Sequence, residues 1–552
     1  VNDPAPSRPS TESDLDVLIV GAGLAGLACA RALAERGLRV RLLDAADQVG
    51  GRVRTFEQDG FLLDRGFQVL LTAYPETQRV LDYDALRLGR FYSGALVRYD
   101  GAFHRVADPF RHPKDAPATL LAPIGTLTDK LRVGLLRWRL QQQSLADLFA
   151  RPETTTGAAL RERWGFSEKI IDRFFRPFLG GIFLEDELRT SSRMFEFVFR
   201  MFAGGVAALP AGGMQAMPRQ LADALPEGTL RLGAGVEALE NQSVHLNDGT
   251  TLEAPAVVVA TEAPEAHRLL GSDEDERSGP PGHRSTTTVY FAAGRPPTQK
   301  AALMLNGTGA GPVNTVVVLS NVQPTYAPPG KALVSASVLG DPPVPDAEIQ
   351  GEVRRQLRDW FGAGVEGWRA LRTVRVEYAL PEQAPPYLSP PARSVRRRPG
   401  LYLCGDHRRT ASLNGALASG RAAAQAVAAD WPTLLGLLAR TQHLSVMLAE
   451  YDATKRGIEG GGGSAEIRAI PRVIALYERR SGELLDHPWQ DARPDLSDAE
   501  KAASALPAGE QRALATLEQR GVEGYRTFAH RDPVAAAPGG EAYAGPWVAA
   551  FF

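Results

Sequence analysis

Cysteine is nearly absent from this chain, with Cys29 and Cys404 the only two in 552 residues. A disulfide scaffold and a cysteine zinc cluster are thereby excluded, and no metal site is read elsewhere. Both cysteines sit in apolar runs, where packing is their expected role. Histidine is sparse too. The nine residues are scattered, and none stands in a convincing catalytic dyad; His407, beside Asp406, is expected to line a loop. An excess of either charge is missing as well. With 62 basic and 64 acidic residues no global field draws the chain to nucleic acid. No apolar run reaches the roughly 18 residues of a membrane span, and Val1–Ser10 lacks the apolar core of a signal peptide. A disordered tail over 1–13 and a cytoplasmic protein, at most peripheral to a membrane, are the resulting expectations. The length exceeds what one core can fill and implies roughly two to four domains.

The informative stretch is Asp16-Val-Leu-Ile-Val-Gly21-Ala-Gly23-Leu-Ala-Gly26. It reads as a buried strand turning through three glycines into a helix, the fingerprint of a dinucleotide site. Gly21 permits the tight turn, Gly23 lets backbone approach a pyrophosphate, and Gly26 lets helix and strand pack closely. The helix N-terminus offers free N–H groups to the anion. A second strand, Arg39–Leu43, ends at Asp44, about 20 residues on, where a carboxylate meets the adenosine ribose hydroxyls and repels a 2′-phosphate.

Gly50-Gly51-Arg52 follows, with glycines for close backbone approach and an arginine able to neutralise a phosphate. Far downstream, Leu401–Cys404 is a strand ending in Gly405-Asp406, and after a short loop a helix opens at Asn414-Gly415-Ala416. Together these motifs resemble the flavin amine oxidase and carotenoid desaturase superfamily. The resemblance implies FAD rather than NAD. It puts Asp64 and Gly66 in a turn near the flavin, the backbone of Val236 at adenine, and Asp406 at the ribityl–pyrophosphate region. The helix opening at Gly415-Ala416 would point its positive end at the flavin N1–C2=O edge, favouring the reduced ring by about 0.3–2 kcal/mol. The family's covalent flavin cysteine is not apparent, so non-covalent FAD is expected.

Within the superfamily, Thr410–Arg421 looks like the phytoene and ζ-carotene desaturase pattern Ala-Ser-Met-Glu-Gly-Ala-x-x-Ser-Gly, with Asn414 in place of the glutamate. Arg173–Phe183 is similar to a segment those desaturases share with protoporphyrinogen oxidases, and Arg176 is its candidate substrate-side residue, the rival role being a structural ion pair. Ser412, Leu413 and Asn414 occupy the stretch where amine-oxidising members place an aromatic. The resemblance therefore implies desaturation, dehydrogenation or isomerisation of a small apolar isoprenoid; the alternatives are an amine or protoporphyrinogen oxidase and a non-catalytic prenyl-binding escort.

The implied architecture is α/β. A Rossmann-like, GR2-type FAD-binding domain is built from 14–98, 205–275 and 398–431, an α+β substrate domain from 99–204 and 276–397, and a mostly helical extension from 432–552. In the extension, helical patterns cover 434–456, 464–480 and 497–519, with a glycine hinge at Gly460–Gly463 and a capping box at Ser497–Glu500. In the substrate domain Thr126–Leu140 predicts a helix with Leu127, Leu131, Leu135 and Trp138 on one face and Lys130, Arg132, Arg137 and Arg139 on the rest. It suits either a cap over that domain or a membrane interface. Arg396-Arg397-Arg398 reads as a solvated turn.

Overall fold

The computed structural model describes residues 15–240, 242–271 and 282–431. The expectations for 1–13 and 432–552 lie outside them. Three distant stretches of chain build one six-stranded sheet in the order Leu230–Arg231, Val40–Leu43, Val17–Val20, Ala256–Val259, Leu401–Leu403, Arg396–Arg398. The first five strands run parallel, and Val17–Val20 pairs in register with Val40–Leu43 on one side and Ala256–Val259 on the other. Both central strands are buried along their whole length, which explains why they are unbroken apolar runs rather than alternating ones. Period-two geometry then sorts their side chains. Val17, Ile19 and Val258 pack with Leu27 and Leu33 of the helix Leu24–Ala34, whereas Leu18, Val20 and Val257 pack on the small meander Val236–Glu240, Ser243–Leu246, Thr251–Glu253. Arg396–Arg398, expected as a turn, is the antiparallel edge strand, with Arg396 ion-paired to Asp430. Charge on an edge strand discourages pairing with another chain.

A second sheet of seven strands runs Arg369–Pro381, His283–Ala293, Ala332–Leu339, Val313–Val318, Leu303–Asn306, Gly94–Tyr99, Ala102–Ala107. The segment boundary expected at 98 falls inside one of these strands. Gly94–Tyr99 pairs in parallel with Leu303–Asn306, so its backbone bonds tie it to the second sheet. The helix Asp346–Phe361 buries Ile349, Val353 and Leu357 on one face of that sheet. The aromatic-rich helix Arg176–Phe183 also packs on that sheet, with the Asn314 side-chain amide donating to the Pro177 carbonyl at 3.0 Å, and Ser192–Gly204 packs against the helix Leu127–Gln142. Two tyrosines bolt the layers together: the Tyr290 hydroxyl donates to the Asp64 carbonyl at 2.9 Å and the Tyr326 hydroxyl to Asp64 Oδ2 at 2.8 Å. Among the described residues no helix is long and apolar enough to cross a membrane.

Candidate functional site

The two glycine motifs form one backbone cradle. The Gly21 amide donates to the Leu43 carbonyl at 2.7 Å, and the Gly50 amide to the Ala22 carbonyl at 2.8 Å. A Cβ on Gly26 would stand 1.9 Å from the Gly21 carbonyl oxygen, so this position holds strand against helix. Gly23 differs: nothing lies within 4 Å of where its Cβ would be, and it faces the cavity described below. At the strand end, Asp44 is pinned by two amides, accepting from Ala22 at 2.6 Å and from Ala46 at 2.9 Å. The helix Leu24–Ala34 has no side-chain cap and no acid in its first turn, which leaves its N–H groups to an incoming anion.

Arg52 and Asp406 close this end. The Arg52 guanidinium donates to Asp406 at 2.7 Å and to the Ala379 carbonyl at 2.9 Å. Burial disfavours the arginine charge, but the neighbouring Asp406 carboxylate more than offsets it, and the pKa is raised. Opposite, a helix over 413–431 is capped by Ser412, whose hydroxyl accepts from the Gly415 amide at 3.0 Å. Two further residues belong here that sequence reasoning missed, Thr261 and Glu262. Thr261 lines the cavity, and its hydroxyl is buried with no partner in the protein. Burial raises the pKa of Glu262, against the pull of Arg52 and Arg65. Their position just past the apolar strand Ala256–Val259 was the available signal, since ligands bind beyond the carboxyl ends of parallel strands.

From this end a cavity of about 940 Å³ runs on toward the seven-stranded sheet. Its far arm is lined by Phe174, Phe178, Ile182, Val198, Phe199 and Phe202. Phe174 stacks on Phe178 at 5.4 Å between ring centroids, and Phe178 meets Phe202 at 5.3 Å. Among the described residues no histidine or cysteine lines any part of it. Charges appear again at Asp108, ion-paired with Arg137, at Arg111, which donates to the Phe202, Ala203 and Gly205 carbonyls, and at Lys130, which donates to the Leu120 and Ala122 carbonyls.

Of the residues singled out from the sequence, Gly21, Gly23, Asp44, Gly50, Gly51, Arg52, Gly66, Gly405, Asp406 and Ala416 line the cavity. Gly26, Asp64, Val236, Asn414, Gly415 and Arg176 do not. Asp64 is buried one layer beneath, accepting from Thr55, the Met214 amide and Tyr326. Burial pushes its carboxyl up to about 6 against those three hydrogen bonds. Val236 is the first residue of the meander and packs in the core, and its carbonyl accepts from Arg268. Asn414 turns away to accept from the Glu76 amide, and Gly415 is packed against Thr410. Arg176 is corrected to the structural role: helical phase turns Phe174 and Phe178 inward and leaves Arg176 outside, ion-paired with Asp172 at 2.9 Å. His407 is buried rather than loop-lining. Burial lowers its pKa to about 4, despite the opposing pull of Asp406, and neither ring nitrogen has a partner.

Comparison with known proteins bears on this geometry. The profile described as flavin containing amine oxidoreductase matches residues 24–428. The 15-cis-phytoene desaturase of Capsicum annuum is 25% identical over 484 residues, covering 78% of this chain and 80% of that protein. A protoporphyrinogen oxidase of Arabidopsis thaliana is 29% identical over 168 residues, covering 30% of this chain and 32% of that protein. A putrescine oxidase structure superposes with a TM-score of 0.58 at 18% identity, covering 75% of this chain and 99% of that one. The cradle fits what such a cofactor needs: an uncapped helix N-terminus, an open Gly23, a pinned Asp44 and a buried Thr261 hydroxyl awaiting a partner.

Proposed function

The chain belongs to the flavin containing amine oxidoreductase family and is an FAD-dependent oxidoreductase; on that premise we propose that it dehydrogenates or isomerises an apolar, carotene-like isoprenoid held in the phenylalanine-lined arm. The observation that carries this reading is the arm itself, apolar and aromatic, with the nearest cations, Arg111, Lys130 and Arg137, already held by backbone carbonyls or by Asp108. FAD, when bound, supplies a two-electron hydride acceptor. The rest of the work falls to the protein. Asp44 would hold the ribose hydroxyls, and the N–H groups of Leu24 and Ala25 the pyrophosphate. Ala416, in the first turn of the helix over 413–431, would bring that helix's positive end to the flavin. Both cysteines are buried in the core, and burial pushes Cys404 up to about 12, in keeping with non-covalent FAD.

Phenylalanine faces grip a conjugated hydrocarbon by dispersion, exclude water and tolerate positive charge spread along it. The competing readings find less support. A cationic amine would want a free carboxylate beside Ser412–Asn414, whereas the neighbouring Glu76 gives both carboxylate oxygens to Arg421. A porphyrinogen's carboxylates would want free cations, yet Arg137 is taken by Asp108 and Lys130 by two carbonyls. An escort would have little use for an intact Arg52–Asp406 pair. A substrate of the proposed kind resides in lipid, so peripheral membrane contact belongs to the same reading.

The test is product analysis. Purified, flavin-loaded protein is incubated in air with phytoene or a carotene in detergent micelles, with a quinone added to reoxidise the flavin, and the pigments are separated by chromatography. New double bonds or a changed isomer pattern are expected. Unchanged carotenes, together with peroxide from amines or fluorescent porphyrin from a porphyrinogen, would overturn the reading.

A further inference from the structure

The loop over 260–262 sits at the centre of the cradle. A Cβ on Gly21 would stand 3.0 Å from the Ala260 carbonyl and 3.1 Å from the Thr261 nitrogen, and one on Gly405 would stand 3.5 Å from the Thr261 carbonyl oxygen. Thr261 is thus wedged between the first glycine motif and the strand end that carries Asp406. Glu262 follows it and lines the same cavity as Leu24 and Ala25, at the helix N-terminus suited to the diphosphate of FAD. Although Glu262 is the N-cap of the helix Ala263–Leu270, its carboxylate makes no capping bond, and among the described residues it has no hydrogen-bond or ion-pair partner. A carboxylate left unpaired at a phosphate site is unexpected, because the two anions repel.

The groups that act on its charge come from every side. They are Arg52 of the second glycine motif, Arg65 after the strand Phe61–Asp64, Asp406, Tyr378 of Arg369–Pro381, and Glu265 on its own helix. Two of the acids are already engaged, Asp406 with Arg52 and Glu265 with Arg268 through both oxygens. The Arg65 guanidinium has one hydrogen bond among the described residues, a long one of 3.4 Å to the Gly51 carbonyl. Arg52 and Arg65 are therefore the cations that Glu262 and an incoming diphosphate would share. We infer that Glu262 is a stand-in anion: it balances Arg52 and Arg65 in the protein without FAD, opposes the diphosphate when FAD binds, and so takes up a solvent proton on binding. Partial desolvation by the cavity walls already raises its pKa, and phosphate charges beside it raise it further. Between the two values the complex holds more protons than the free protein, so FAD is held best below both and less well as pH climbs through them. This inference concerns FAD alone and is independent of the substrate reading.

The experiment measures cofactor retention rather than turnover. Full-length holoenzyme is diluted in steps and ultrafiltered at about pH 6 and about pH 8.5, and FAD in the filtrate gives its dissociation constant. For wild type that constant is expected to rise about tenfold over the interval, whereas Glu262→Gln and Glu262→Ala should hold FAD about tenfold tighter than wild type at the upper pH and change little with pH. Glu262→Asp keeps the charge and should keep the pH slope. Because Glu262 is open to the cavity rather than packed in the core, these changes leave the fold intact. The alanine variant separates loss of charge from a new amide hydrogen bond to the cofactor. Charge-free variants that hold FAD no tighter than wild type, tightening by glutamine alone, or a pH slope that survives both substitutions would overturn the inference. So would FAD held beyond detection by every protein at the upper pH, since the carboxylate would then oppose nothing.

Discussion

Arg52 and Asp406 lie 354 residues apart in the chain and meet in an ion pair of 2.7 Å at the nucleotide end of the cavity. The pair joins the second glycine motif to the strand end that precedes the helix over 413–431. Both side chains are largely buried, at 24% and 6% exposure, so removing one partner strands the other's charge. Arg52→Ala is expected to cost about 3–5 kcal/mol, read as loss of bound flavin on purification and a lowered melting temperature. Arg52→Lys keeps the charge but cannot reach both Asp406 and the Ala379 carbonyl, and should fall between. Full flavin content in Arg52→Ala would show the pair to be dispensable.

Gly23 and Gly26 should fail differently. At Gly26 an added methyl meets the Gly21 carbonyl at 1.9 Å, so Gly26→Ala is expected to destabilise the apoprotein by about 1–3 kcal/mol or more. At Gly23 the methyl meets no protein atom, so Gly23→Ala should leave apoprotein melting unchanged while weakening FAD binding. Equal apoprotein melting temperatures for both variants would contradict this division.

Asp64 gives a stability that falls as pH rises. Its folded carboxyl titrates near 6, above the roughly 3.9 of an unfolded chain. Between those values the folded protein binds more protons, so the contribution is complete below about pH 4 and lost as pH climbs through about 6. Asp64→Asn, which keeps the shape, should gain about 3 kcal/mol relative to wild type across that window. Melting temperatures of the two proteins at several pH values check it, and a constant difference would be the contrary result.

His407 acts with the opposite sign. Burial holds its pKa near 4 against the 6.5 of a free imidazole, so acid favours the unfolded chain. Stability from this group is intact above about pH 6.5 and is lost as pH falls toward 4. Because neither ring nitrogen is hydrogen-bonded, His407→Phe should keep the packing and escape about 3 kcal/mol of that acid loss. An acid melting curve identical to wild type would argue against it.

In the far arm, Phe199→Asp puts an unpaired carboxylate among phenylalanines. Flavin content should persist, since the site lies away from the cradle, while turnover of apolar substrate falls by two orders of magnitude or more, about 3 kcal/mol of lost binding. Unimpaired turnover would place the substrate elsewhere.

The glycine loop, Asp44 and the paired glycines were legible because each motif records a local backbone need: a turn, a close approach, a strand end. Three residues singled out by resemblance stand off the cavity. Asp64 sits one layer beneath it, braced by Tyr290 and Tyr326. Asn414 is claimed by the Glu76 amide, and Arg176 is turned outward by helical phase. Each depends on what packs opposite, which no local pattern records.

The leucine–tryptophan stripe divides the two levels of information most clearly. Its spacing, and that of the cradle glycines, follows from helix and strand periods, so the linear chain was enough to define both. That the stripe would stay exposed and that Arg52 would find Asp406 are outcomes of long-range packing. Burial and ion pairing join residues hundreds of positions apart, and those contacts exist only once the sheets have assembled.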